Sequence, residues 1–132
     1  MTDPTEAATR GARGHEAEGA AAAWLEEQGF RVLARNHATK AGEVDLVCAE
    51  GETICFVEVR SRASELFGTP AETITREKAR RVARAAEDWA GRNGAEERPI
   101  RFDVVSVTVA EGGPSFELIR AAFDSDGDTR LW

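Results

Sequence analysis

Cysteine is scarce in this chain of 132 residues: Cys48 and Cys55 are the only two. Two cysteines cannot build the disulfide framework of a small secreted domain, and a reducing compartment keeps them as thiols. No apolar stretch comes near the ~20 residues that a membrane-spanning helix needs, so no membrane partner is expected. The opening MTDPTEAATRGAR lacks the charged-then-apolar layout of a secretory signal, and a cytoplasmic protein is the expectation. Positive charge is also short, with 17 Lys and Arg against 24 Asp and Glu, a net −7. Phosphate contacts need cations, so this balance weighs against a nucleic-acid partner. What is present, 42% hydrophobic and 31% charged residues, reads as one soluble globular domain with a real core.

Distribution matters more than the sum. From Arg60 to Arg84, seven basic residues face three acidic ones, leaving +4 within an acidic protein. Residues 1–13 are small and polar and read as a disordered N-terminal tail; 124–132 read as a disordered acidic C-terminal tail. The spacing of Asp124, Asp126 and Asp128 begins like a calcium loop, but the downstream Gly and bidentate Glu are missing. Between the tails, 14–123 form one domain whose elements read α–β–β–β–α–β–β. The first helix is expected over 14–28, stopped by Gly29, with Ala17, Ala20, Ala21, Trp24, Leu25 and Gln28 on its buried face. Strands follow at 31–35 and on both arms of a hairpin, GEVDLVCAE and TICFVEVR. Residues 61–72 read as a loop, 75–92 as a second helix, and 100–109 and 116–122 as the last strands.

The hairpin over residues 42–62 carries the chemistry. Alternation puts Ile54, Phe56, Glu58 and Arg60 on one face of its second arm and Cys55, Val57 and Val59 on the other. Both faces begin apolar, as in a central strand covered on each side, so Glu58 sits where that strand meets the surface. Glu50-Gly51-Glu52-Thr53 suits a two-residue loop with Gly51 at the first central position of a type II′ turn. That register sets 50 against 53, and so Asp45 against Glu58. Two carboxylates that close repel unless a cation sits between them, and Mg²⁺ or Mn²⁺, preferring oxygen ligands, would resolve the repulsion. A three-residue loop would shift the register by one and separate the two acids. Glu18 lies seven residues before Leu25, at the margin of the first helix's buried face; it is either a third acid of this site or an ordinary boundary glutamate.

The blocks AEGAAAAWLEEQGF, ARN, GEVDLV, FVEVRSR, FGTP and RFDVV resemble the YraN-like family of uncharacterised proteins, from about Gly14 to Val109. That resemblance implies an α/β, restriction-endonuclease-like (PD-(D/E)xK) αβββαβ core, a central mixed sheet flanked by helices. It implies metal-binding and catalytic roles for Glu18, Asp45, Glu58 and Arg60, with Glu18 acting through water and the Val59 backbone carbonyl as a further ligand. Two departures stand out. Ala17 replaces the glycine that usually precedes the helix-one acid, and Arg60 replaces the lysine of E-x-K. Arginine stays protonated, so Arg60 can stabilise charge but is a poor base.

The expected function is therefore a divalent-metal-dependent nuclease acting on DNA or RNA, branched or structured, with Mg²⁺ or Mn²⁺ as cofactor and DNA ahead of RNA. The alternatives are a non-catalytic nucleic-acid-binding adaptor and an inert structural domain. Many nucleases of this class dimerise to cut two strands, so a homodimer is an expectation too. Arg76, Arg80 and Arg84 recur every four residues away from the core, either as a solvated face or as a phosphate-tracking ridge. Lys78 flanks the core face and could reach the site, and Arg62 opens a loop with Phe67 placed for substrate contact. Arg101 and Asp103 read as a structural pair, Cys48 and Cys55 as small buried thiols facing one another.

Overall fold

A computed structural model describes residues 4–62 and 74–128 of the chain. The elements are α1 (Pro4–Glu27), β1 (Arg31–Ala38), β2 (Glu43–Glu50), β3 (Thr53–Arg62), α2 (Arg76–Arg92), β4 (Ile100–Ala110) and β5 (Gly113–Phe123). The five strands form one mixed sheet in chain order. β3 and β4 run parallel and every other neighbouring pair is antiparallel. Parallel neighbours need a long crossover, and the segment containing α2 supplies it.

Two cores follow from two-sided burial of the central strands. On one face, Ile54 and Phe56 of β3 and Phe102 and Val104 of β4 pack under Val82, Ala86 and Trp89 of α2. On the other, Leu46, Cys48, Cys55, Val57, Val105 and Val107 lie under Ala21, Ala22 and Leu25 of α1. The buried residues of α2 include Ala79, Val82, Ala83, Ala86, Trp89 and Ala90, the apolar stripe expected from spacing. Thr75 caps this helix by accepting from the Lys78 N–H.

Residues 4–13 continue α1. Pro4 holds the first helical position, where its missing N–H costs nothing, and the following Ala, Glu and Arg are strong helix formers. Residues 124–128 form a turn in which Asp124 Oδ1 accepts from the N–H groups of Asp126 and Asp128, both at 3.0 Å. Gly127, at φ 89°, presses on Arg76, where a Cβ would lie 2.6 Å from Cγ and 2.7 Å from the carbonyl oxygen. Most of the expected substrate loop, Phe67 included, lies outside the described residues, as do residues 129–132.

Candidate functional site

Gly51 takes φ 60° in the β2–β3 turn, and no residue beside it needs a positive φ, as type II′ geometry requires. The ladder runs from Glu50↔Thr53 to Leu46↔Val57 and stops one position before Asp45 and Glu58. There side chains replace the backbone bonds. Asp45 Oδ2 accepts from the Val59 N–H at 2.9 Å, and Glu58 Oε1 accepts from the Asp45 N–H at 3.4 Å. Val44 packs in the α2-side core while Leu46 packs in the α1-side core, so alternation breaks across Asp45. The two strands thus part at the two acids.

Glu58 is only 1% exposed. Its nearest cation is Lys78 of α2, whose Nζ lies 3.5 Å from Oε2, too far for a hydrogen bond of ordinary strength. Burial is the main cause that pushes the Glu58 carboxyl from 4.5 up to about 7. Asp45 adds to the rise, while Lys78, Arg60 and the Asp45 N–H oppose it. The Asp45 carboxyl is raised as well, by burial first and also by Glu43, against the Val59 N–H, Lys78 and Arg60. Arg60 is half-buried, and its Nε is buried without a hydrogen-bond partner among the described residues.

The other expected site residues divide. Glu18 is half-buried on α1. Among the described residues, however, no three acidic, histidine or cysteine side chains gather as a metal cage. Arg62 ends β3 opposite Thr108, and its side chain falls outside the described residues. The arginine ridge is not one open surface. Arg76 pairs with Asp128 at 2.8 Å and Arg80 Nε donates to the Asp126 carbonyl at 3.1 Å, so the acidic turn holds two of its members. Arg84 stays exposed. Two cations absent from the expected site, Lys40 and Arg81, line a polar pocket with Lys78, whose ammonium also approaches Glu58. Arg81 follows Lys78 by three residues, and that helical spacing is the signal that could have found it.

Comparison with known sequences places these features in a lineage. A family model described as "Uncharacterised protein family UPF0102" matches residues 17–107. The chain belongs to this family. A UPF0102 protein of Anaeromyxobacter sp. strain Fw109-5 is 59% identical over 100% of both chains. One from Moorella thermoacetica is 44% identical over 87% of this chain and 98% of its own. Another, from Rhodococcus opacus, is 40% identical over 85% and 96%. The match to the UPF0102 family spans Asp45, Glu58, Arg60, Lys78 and Arg81.

In this UPF0102 chain the two acids share one desolvated opening. Asp45 and Glu58 offer hard oxygen donors in a desolvated setting that disfavours their joint ionisation. A divalent cation fits that donor set, with water completing its shell. Otherwise the Lys78 ammonium is the closest compensation for Glu58.

Proposed function

We propose that this protein is a divalent-metal-dependent phosphodiesterase acting on nucleic acid, with a PD-(D/E)xK nuclease fold. One observation carries the reading: two desolvated carboxylates, Asp45 and Glu58, share the opening between β2 and β3 with the Lys78 ammonium 3.5 Å away. The element order from α1 to β4 is that of the αβββαβ core. Asp45 and Glu58 would hold Mg²⁺ or Mn²⁺, with Glu18 assisting through water and the Val59 carbonyl as a further donor. An ion bound there supplies Lewis-acid polarisation of the phosphodiester. Arg60 would stabilise negative charge on the phosphoryl oxygens. Lys78 supplies from α2 the ammonium that Arg60 displaces from the E-x-K position. DNA, branched or structured, stands ahead of RNA as substrate, on the resemblance to nucleases of this fold.

A non-catalytic nucleic-acid adaptor is the second reading, favoured by Arg60 and by the commitment of Asp45 Oδ2 to the Val59 N–H. One experiment separates the two. The protein is incubated with branched, single-stranded and duplex DNA, with and without Mn²⁺, beside Asp45→Ala and Glu58→Ala. Metal-dependent cleavage that falls at least about 100-fold in both variants is expected, since losing a ligand should exceed the roughly 10–100-fold cost of losing an outer-shell partner. Cleavage that survives both substitutions, or needs no metal, removes the catalytic assignment. Salt-sensitive binding with no cleavage establishes the adaptor.

A further inference from the structure

We propose that the pocket between the β1–β2 turn and α2 is a phosphate subsite, formed by Lys40, Lys78 and Arg81, for the backbone phosphate next to the one at Asp45 and Glu58. The proposal rests on the nucleic-acid reading above and names the second anchor that such a substrate would use.

Three observations lead to it. The pocket encloses about 270 Å³ and is lined by three cations, Lys40, Lys78 and Arg81, against one acid, Glu43. Its surplus of positive charge suits an anion. The volume falls just below the range of drug-sized ligand sites. The turn is also preformed. Thr39 Oγ1 accepts from the N–H groups of Ala41 at 3.1 Å and Gly42 at 3.2 Å, and the Thr39 N–H donates to the Gly42 carbonyl at 2.8 Å. Gly42 lies so close to α2 that a Cβ would meet the Arg81 carbonyl oxygen at 2.1 Å, a contact no side chain survives. Glycine at 42 therefore seats the turn on the helix and fixes Lys40 and Arg81 across one cleft. With the turn's own polar groups spent internally, recognition falls to the cationic side chains.

Availability separates these cations from Arg76 and Arg80. Arg76 and Arg80 are held by the acidic turn at Asp126 and Asp128. Among the described residues, neither Lys40 nor Arg81 enters an ion pair. Lys78 belongs to both places, since its ammonium approaches Glu58 and its side chain lines the pocket. An ammonium has three donors, and one directed at Glu58 leaves two for a phosphate. Adjacent phosphates of one strand would then meet the acids and the pocket with Lys78 between them.

The test reads binding apart from cleavage. Anisotropy of a fluorescein-labelled single-stranded oligothymidylate is measured in EDTA, over a salt series, for wild type, the Lys40→Ala/Arg81→Ala double variant, and Arg92→Ala. The double variant is expected to bind about tenfold more weakly, with its log Kd against log salt slope reduced by about 1 to 2. Arg92 is 72% exposed and engaged with Asp88, and its substitution should leave binding unchanged. Lys40→Glu alone, at an exposed turn position, covers the case in which the Arg81 change disturbs folding; it should weaken binding at least threefold. Equal Kd and slope in wild type, the double variant and Lys40→Glu overturns the subsite, as does absence of binding by wild type. Weakened binding with no cleavage in any metal keeps the subsite and removes the phosphodiesterase; cleavage with unchanged binding does the reverse.

Discussion

Glu58 and Asp103 are both buried acids on neighbouring parallel strands, 1% and 0% exposed, yet their surroundings differ in kind. Asp103 lies at a β-bulge on the α1 side of the sheet. Arg101 grips it with both arms of its guanidinium, at 2.8 and 2.9 Å, and the Ala121 N–H donates to Oδ1 at 2.9 Å. Ala121 takes φ 53° to present that N–H, so the backbone bends to serve the carboxylate. Among the described residues, Glu58 has no such provision. Its two polar neighbours stand at 3.4 and 3.5 Å, and the closest acid, Asp45, repels it. Asp103 shows what this fold does with a charge it needs for structure: it supplies a bidentate partner and a backbone donor. The contrast teaches that Glu58 carries a desolvation cost that Asp103 is spared, a cost the proposed function would account for.

The largest effect should come from breaking the satisfied acid. Asp103→Ala is expected to cost about 3 kcal/mol, because it strips a buried ion pair and leaves the Arg101 fork and the Ala121 N–H without their acceptor. Glu58→Gln, nearly isosteric, removes the repulsion and should be neutral or stabilising by about 1 kcal/mol at neutral pH. Urea midpoints of the two variants decide the matter. Equal destabilisation would dissolve the distinction between a structural and a functional acid.

A smaller effect, on the order of 2 kcal/mol, should appear as pH dependence. The Glu58 carboxyl is raised from 4.5 to about 7, so the folded chain binds a proton that the unfolded chain releases. Stability contributed by that proton is fully present below about pH 4.5 and is lost as pH rises through about 7. Asp45, also raised, acts in the same direction, while Lys78 and Arg60 facing the pair reduce the loss. Thermal melts of wild type should therefore fall between about pH 5 and pH 8, and those of Glu58→Gln should flatten over the same interval. A wild-type curve as flat as the variant's would place an ordinary carboxylate at Glu58.

Much of this contrast is legible in the residues themselves. Gly51 and the two-residue loop lead to the register that brings Asp45 to Glu58, and Arg101 and Asp103 stand two apart on one strand face. The stripe on α2 is readable because burial there follows one helical period. Hidden features depend on contacts far apart in sequence. Lys78 meets Glu58 only because α2 crosses the sheet at that level, and Arg120 meets Glu50 across 70 positions. The helical residues 4–13 read as a tail because small polar residues lack an apolar stripe, although Glu6, Ala7, Ala8, Arg10, Ala12 and Arg13 favour helix. The arginine ridge is legible only in part. Periodicity exposes Arg76, Arg80 and Arg84 alike, but says nothing of a later acidic turn that occupies the first two.

The smallest effect concerns the rim of the Asp103 network. Glu50, at the end of β2, accepts from Arg101 at 2.8 Å and from Arg120 at 2.7 and 3.1 Å. The hydrogen bond from Arg120 is the largest cause that lowers its carboxyl to about 2; burial opposes it, and the hydrogen bond from Arg101 adds a smaller lowering. Its contribution is thus present above the ordinary 4.5 and lost as pH falls through about 2, opposite in sign to that of Glu58. Glu50 is 30% exposed and Arg120 51% exposed, so solvent screens the pair. Glu50→Gln should cost only about 0.5 kcal/mol at neutral pH, because Asp103 still binds Arg101 with two bonds. A double-mutant cycle with Arg120→Ala measures the coupling, expected at a few tenths of a kcal/mol. A cost approaching that of Asp103→Ala would mean that Arg101 needs both acids at once. The anchor would then extend from the bulge to the sheet's rim, and Glu58 would stand against a three-residue unit rather than a single well-held carboxylate.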